Sequence, residues 1–482
     1  MRILNGSEVI AADRRAIRSG TPGGTLMKRA AGALAEFIDS LDAIRVVFVT
    51  GPGNNGADGI VSSGLMRKKT EVEIFCVFPK EKVNSNFLWA QAVSGRGVVF
   101  MPSRAALKKS MRSADCVVDC VFGTGFHGVP RGGAAMAIKE MNAAKRLVVS
   151  CDAPSGLDAD TGKAHLAVKA AFTVTFGFPK KGLFIGAGAE LSGSVRCADI
   201  GLRAPARKSA LYMTSPRDLA RKIPVRNSRS HKYTSGHALI FTGAMKGAAS
   251  LAGLGALRAG AGLVTFAGAG MKDFPEAIVI DYKTDFLKYI RDKNVRSIVF
   301  GPGFGRDNSE KAAVILETLS KTDIPKVIDA DGIFLAKKYG YLKKLKKYVI
   351  TPHTGEAGQL TKSSLAAPRS WDTVKKLSLS LKAVVVLKGH RTVISDGKSV
   401  SVNPTGNPVL ATGGTGDLLA GAIAALLAGG MGLFEAAAAG VYAEGLAGDL
   451  FMKKKGASGA LVRDLAALLP AALKIMKEER MA

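Results

Sequence analysis

Acidic residues are in short supply. Only 39 Asp and Glu stand against 68 Lys and Arg, a formal net charge of +29. Such a balance suits either a nucleic-acid or membrane partner, or a field that draws in an anionic small molecule. Aromatic residues make up just 6% of the chain, and none interleaves with basic residues in a nucleic-acid-binding pattern. The local basic runs, Lys343, Lys344, Lys346, Lys347 and Lys453 to Lys455, stand apart in a chain whose positive charge is spread throughout. The expected partner is therefore a phosphate-rich small molecule, not nucleic acid. There are five cysteines, Cys76, Cys116, Cys120, Cys151 and Cys197, and no CxxC pair. Cys116 and Cys120 bracket a strand-like VVD without His partners, so neither a zinc site nor a disulfide framework is expected. Reduced, buried thiols fit a reducing compartment. The opening MRILNGSEVIAADRRAI has no apolar leader. The longest uncharged run, Leu418 to Phe434, is short for a membrane span and is broken by Gly and Ala. It reads as a buried helix pair joined at Gly429 and Gly430, and the chain as cytoplasmic, with no membrane partner.

The 482 residues, 47% hydrophobic and with 56 glycines, are enough for roughly two to three domains. The runs RVVFVT, EVEIFCVF, GVVFM, DCVVDCVF and RLVVSCDA alternate with helical patterns. Such alternation predicts a mostly parallel sheet covered on both faces. Residues 203–230 are polar, basic and punctuated by proline. The expected layout is a domain over 1–207, a linker over 208–229 and a second domain over 230–482. In the second domain HALIFTG, GLVTFAG, AIVID, SIVFGPG, PKVIDAD, YVITPH and AVVVLKG restart the alternation. Functional groups are expected just beyond the strand C-termini, as in open α/β sheets.

In the first half, GPGNNGADG (51–59) follows the first strong strand, with a helix expected from about Gly59. Gly51, Gly53 and Gly56 match the dinucleotide pattern G-x-G-x-x-G, a weak signal by itself. Asp58 would repel a pyrophosphate at that helix start, so a sugar, an amide or a hard cation suits the loop better. Asp119 precedes the glycine loop of Gly123, Gly125 and Gly128, and Asp152 and Ser155 lie on a proline-stiffened turn. Each alone reads as turn chemistry. Three at successive strand ends read as a site.

These motifs, with AADRRAI, GTLMKRAAG, GPGNNGADG, DCVFGTGF and CDAPSGLDADTG, make residues 1 to 205 resemble the NAD(P)H-hydrate epimerases. Those enzymes interconvert the R and S forms at C6 of the hydrated nicotinamide ring. The resemblance implies a Rossmann-like αβα domain. It implies substrate contacts at Asn54, Asn55, Gly56, Ala57 and Asp58, at Gly123, Thr124, Gly125, Phe126, His127, Gly128 and Val129, and at Asp152. It also implies a potassium ion held by Asn55, Asp119 and Ser155. Asp152 is the candidate for proton transfer. Ala57 stands where the family usually shows glycine, and a left-handed backbone there would be strained.

In the second half, Thr405 to Asp417 (TGNPVLATGGTGD) runs directly into the helical LLAGAIAALLAGG. Free N–H groups at Gly414 to Gly416 suit an anion, and Asp417 at the helix start suits proton removal from a hydroxyl under phosphoryl attack. The plainer alternative is an N-cap after a turn. No Walker loop is present, since Thr392 replaces the upstream glycine of Gly397-Lys398-Ser399. The arrangement resembles ribokinase-like kinases. With VFGPGFGR, VIDADGIFLA, VITPHTGEAGQL and VVVLKGHRTVISDG, residues 230 to 475 resemble ADP-dependent NAD(P)H-hydrate dehydratases.

This second resemblance implies a ribokinase-like αβα domain with ADP as cosubstrate, accompanied by magnesium. ADP contacts are implied at Lys388, Gly389, His390, Arg391 and Thr392, and at Asn407, Pro408, Val409, Leu410, Ala411, Thr412, Gly413, Gly414, Thr415 and Gly416. Contacts to the hydrated nicotinamide (NADHX or NADPHX) are implied at Ala248, Gly303, His353 and Asp417, with Asp417 catalytic. A homo-oligomer is expected. Two other readings compete. One is a ribokinase-like vitamin-type kinase with an accessory domain, revealed by ATP-dependent phosphorylation of a stable alcohol. The other is a basic RNA-binding scaffold, revealed by salt-sensitive RNA binding without turnover.

Overall fold

Runs of Val, Ile and Phe without polar alternation can be satisfied only inside a sheet buried on both faces, and that is where they lie. The computed structural model describes residues 1–204, 211–268, 271, 274–361, 371–456 and 458–478. The chain divides into two units, Met1–Ser209 and Ala210–Ala482.

In the first unit the strands are β1 (Arg45–Thr50), β2 (Glu71–Cys76), β3 (Val99–Phe100), β4 (Cys116–Cys120), β5 (Leu147–Cys151), β6 (Phe172–Phe176) and β7 (Ser194–Ala198). Their order is β3-β2-β1-β4-β5-β6-β7, and every neighbouring pair is parallel. The order reverses between β1 and β4, and at such a point the loops leaving the two strands part to form a crevice. Two corrections fall here. The helix after β1 spans Asn54–Leu65 instead of starting near Gly59. Ala57 therefore lies in its first turns, with its N–H donating to the Gly53 carbonyl at 3.0 Å and its side chain fully buried. Ala57 is not among the residues with positive φ, so the expected strain does not arise.

In the second unit the strands are β8 (Leu211–Met213), β9 (His237–Phe241), β10 (Leu263–Ala267), β11 (Ile278–Ile280), β12 (Ser297–Phe300), β13 (Lys326–Ile328), β14 (Tyr348–Ile350), β15 (Val384–Leu387), β16 (Val393–Ser395) and β17 (Val400–Val402). The order is β11-β10-β9-β12-β13-β14-β15-β16-β17-β8, with reversal between β9 and β12. The pairings β15–β16 and β16–β17 are antiparallel and the others parallel. The boundary expected at 207/208 lies outside the described residues. The segment expected as a linker is built into this unit: β8 pairs with β17, and Leu219 and Ile223 join the core.

The uncharged run does form a helix pair, Thr415–Ala428 and Leu433–Lys455. The first packs against the helix Lys246–Arg258 through small residues, because a side chain would not fit. A Cβ at Gly421 would fall 1.8 Å from the Ala252 carbonyl oxygen, and one at Gly255 2.2 Å from that of Leu418. No described helix is long and apolar enough to cross a membrane. All five cysteines are free, four of them buried.

Candidate active sites

A cavity of about 1180 Å³ opens at the β1/β4 reversal of the first unit. Of the residues expected there, Asn54, Asn55, Asp58, Gly123, Thr124, Gly125, Phe126, His127 and Asp152 line it. Gly56, Ala57, Gly128 and Val129 are not among the residues that line it. Gly56 instead lets the helix approach β1, since a Cβ there would fall 2.1 Å from the Gly51 carbonyl oxygen. Ala57 belongs to the core, and the Val129 side chain is half exposed. His127 sits on the rim, 2.9 Å from the carboxylate of Asp158.

Asp152 follows β5 with φ +65°, a left-handed backbone that a non-glycine residue adopts only when its surroundings hold it there. Those surroundings are visible. One carboxylate oxygen accepts from the Thr124 N–H at 3.1 Å and from its hydroxyl at 2.5 Å. The other accepts from Lys180 Nζ at 2.5 Å and from the Thr175 hydroxyl at 3.2 Å. Lys180 is itself buried and also donates to Thr175 and to the Phe176 carbonyl. Burial would raise the pKa of Asp152, but the Lys180 ammonium and these hydrogen bonds outweigh it and hold the carboxyl below its ordinary value. Asp58 behaves in the opposite way. Burial pushes it well up, the nearby charges of Asp152 and Asp13 add to this, and Lys180 opposes it only in part. Asp13, on the first helix Gly6–Arg18, also lines the cavity and is raised by burial. Sequence reasoning missed Asp13 and Lys180. AADRRAI hinted at the first. Nothing in the sequence distinguishes Lys180 among 68 basic residues; its burial against Asp152 does.

Near the end of β4 lies a buried carboxylate, Asp119. It accepts hydrogen bonds from Ser150 (2.8 Å), from the Ser155 N–H (2.8 Å) and hydroxyl (2.5 Å), and from Val121 N–H (3.3 Å). No cation pairs with it among the described side chains, and burial raises it. Both polar atoms of the Asn55 amide are buried without a partner. An unpartnered buried polar atom is costly, and an amide oxygen, a carboxylate and a hydroxyl are donor types that fit a hard monovalent cation.

In the second unit, Asp417 occupies the first turn of the helix Thr415–Ala428, after Gly414 with φ +97°. Gly416 allows close approach of another strand end: a Cβ there would lie 3.0 Å from Lys388 Nζ and 3.8 Å from Asp329. Lys388 reaches Asp329 at 2.8 Å, and Thr351 donates to the same oxygen at 2.7 Å. Burial works against the Lys388 charge, yet Asp329 holds its pKa above the ordinary value. Asp417 is pushed up to about 6 by burial and by Asp329, with Lys388 opposing. Ala330, between Asp329 and Asp331, has φ +46°, a second strained strand end. Glu444, buried on the helix Leu433–Lys455 with Oε1 unpartnered, is pushed up to about 8 by burial.

The remaining expected residues divide. A Cβ at Gly303 would lie 2.8 Å from Ala248 Cβ, so these two adjoin at the β12 loop. His353 bridges to Lys388 between adjacent strand ends. Its Nδ1 accepts from the Gly355 N–H at 3.0 Å, and its Nε2 lies 3.6 Å from the Glu356 carboxylate. His390 and Gly389 are exposed beside Lys388. Arg391 is buried, and its guanidinium donates to the Pro404 carbonyl at 3.2 Å, which braces the loop. The hydroxyls of Thr392, Thr412 and Thr415 bond to loop carbonyls, and Asn407 bonds to Asp449 at 2.9 Å. Val409 is buried, while Pro408, Ala411 and Gly413 are exposed around Leu410, Gly414 and Gly416.

A parallel sheet with a carboxylate-lined crevice at its reversal point, and a second with a glycine loop opening a helix onto an Asp and a Lys, define a two-site α/β enzyme. The comparisons narrow this. A family model described as YjeF-related protein N-terminus matches residues 23–182, and one described as NAD(P)H-hydrate dehydratase matches 238–471. The bifunctional NAD(P)H-hydrate repair enzyme of Moorella thermoacetica is 34% identical, the match covering 90% of this chain and 88% of that one. Its counterpart in Thermofilum pendens is 32% identical over 99% of this chain and 97% of that one. A ribokinase-like superfamily protein of Enterococcus faecalis superposes on 57% of this chain and 99% of its own with a TM-score of 0.50 at 27% identity. The chain belongs to the bifunctional NAD(P)H-hydrate repair enzymes, with an epimerase domain followed by an ADP-dependent dehydratase domain.

Proposed function

We propose that the cavity of the first unit epimerises hydrated NAD(P)H at C6, and that the glycine-loop site of the second dehydrates the S form with ADP, releasing AMP and phosphate. The observation that carries this reading is Asp417, raised to about 6 at the head of a helix beside the Lys388–Asp329 pair. A carboxylate with that pKa is ionised at neutral pH yet basic enough to take the proton of the 6-hydroxyl. Transfer of the β-phosphoryl group of ADP to that oxygen converts a poor leaving group into phosphate. The N–H groups of Gly414 to Gly416 and Lys388 face the moving charge, and elimination restores the dihydronicotinamide. Gly303, Ala248 and His353 flank the hydrated ring. No group of three His, Cys, Asp or Glu side chains that could cage a metal occurs among the described residues. Magnesium would therefore arrive largely on the nucleotide phosphates, whose charge it would neutralise.

In the first unit Asn55, Asp119 and Ser155 would hold potassium, which would compensate the buried Asp119 and tie the loop after β1 to that after β5. Asp152 handles the proton. The basic chain favours encounter with such polyanionic substrates.

Recovery of NADH absorbance from mixed R and S hydrates, with ADP and magnesium, tests both halves. Complete recovery in potassium and recovery stalling at the S fraction in lithium is the expected pair. Complete recovery in both would remove the potassium site, and none with ADP would remove the repair reading.

A further inference from the structure

Five charged side chains line the first unit's cavity: Asp13 and the exposed Arg14 from the first helix, Asp58 from the helix after β1, Asp152 from the end of β5 and Lys180 from beyond β6. Lys180 is the one buried cation in this group, and its bond goes to Asp152 alone of the three carboxyls. Asp58 accepts no hydrogen bond from a described residue, and Thr124 attends Asp152 as well. Neighbouring carboxyls in a shared buried site do not all ionise; the one given the cation does.

Resting on the epimerase reading of this cavity, we propose that Asp58 and Asp152 form an acid–base pair that opens and recloses the hydrated ring, with Lys180 as the positioning residue that decides which of them is the base. C6 of the hydrated ring carries a hydroxyl and is bonded to the ring nitrogen N1, so it is a hemiaminal carbon. Asp152 removes the hydroxyl proton and the O–H electron pair forms C6=O. The C6–N1 bond breaks, its electrons pass to N1, and N1 takes the proton of Asp58. Rotation about C5–C6 presents the other face of the aldehyde. N1 then adds to C6 and returns its proton to Asp58, while the new alkoxide recovers the proton from Asp152. No oxidant, reductant or water is consumed, and both carboxyls end as they began. Burial and the Asp152 and Asp13 charges favour the protonated form of Asp58, the form this step uses. Phe122 and Phe126, stacked at 4.4 Å on the cavity wall, limit the water that could hydrate the aldehyde.

The test uses the full chain with the R hydrate labelled with oxygen-18 on C6. Asp58→Asn is expected to lower kcat for epimerisation about 100-fold with KM changed only a few-fold. Lys180→Gln is expected to move the acidic limb of the kcat/KM profile upward, because losing the ammonium raises the pKa of Asp152. The S product of the wild type keeps its label, since the oxygen never leaves carbon. Thermal melting of each variant reports folding, and if Asp58→Asn does not fold, the Lys180→Gln profile and the label decide. Loss of the label at the turnover rate would replace ring opening by loss and return of water. An unshifted acidic limb in Lys180→Gln would overturn the role of Lys180. Unimpaired kcat in Asp58→Asn, with Asp152→Asn inactive, would overturn the acid assignment alone. If both Asn variants stay active, the epimerase reading of the cavity falls with it.

Discussion

Both units set an aspartate and a lysine at the ends of parallel strands, but they divide the lysine differently. In the first, Lys180 is bonded to the proposed catalytic carboxylate, Asp152, and holds its pKa down. In the second, Lys388 is bonded to Asp329, and the proposed catalytic carboxylate, Asp417, is left to be raised by burial and by Asp329. The same two residue types thus yield a weak base in one site and a stronger one in the other. With both carboxylates raised by burial, what separates them is which acid the neighbouring ammonium contacts.

The comparison breaks most visibly at Asp417. Asp417→Asn is expected to cut ADP-dependent dehydration of the S hydrate by about 10³-fold with the melting temperature little changed, read as NADH absorbance. A drop of less than tenfold would make Asp417 a cap only. Asp152→Asn should slow R-to-S conversion by about 10²-fold, the smaller loss reflecting a weaker base, measured by chiral separation of the hydrates. Next comes packing. Gly421→Ala drives a Cβ into the Ala252 carbonyl and should destabilise the second unit by roughly 1–3 kcal/mol, seen as a lowered denaturation midpoint. The subtlest effect is on pH. A base must be deprotonated to act, so kcat/KM for dehydration should fall as pH drops through about 6. Epimerisation should persist to lower pH, because Lys180 holds Asp152 below the ordinary carboxylate value. Coincident acidic limbs would mean that the two lysines act alike.

Much of this was legible in the chain. Apolar runs located β1, β2, β3, β4, β5, β9, β10, β11, β12, β13, β14 and β15, since buried parallel strands need that composition. Strand-end motifs located Asn55, Asp119, Asp152, Ser155, Lys388 and Asp417 for the same reason: in open α/β sheets chemistry gathers beyond strand C-termini. The short β8, β16 and β17 escaped notice, since three residues carry too little periodicity and their pairing partners are distant. β6 and β7 were likewise unread, and the 208–229 segment looked like a linker because its polar sequence hides a short edge strand.

Sequence by itself therefore determined the two α/β units, the loops that bear the sites, and the family. Tertiary structure alone decided that Ala57 sits without strain inside a helix, that Arg391 is turned inward to Pro404, and that Asp13 and Lys180 belong to the first site. It also decided the direction in which the pKa of Asp58, Asp152 and Asp417 moves. The physical reason is that pKa depends on burial and on which charge stands within a few ångströms, and neither is a local property of the chain.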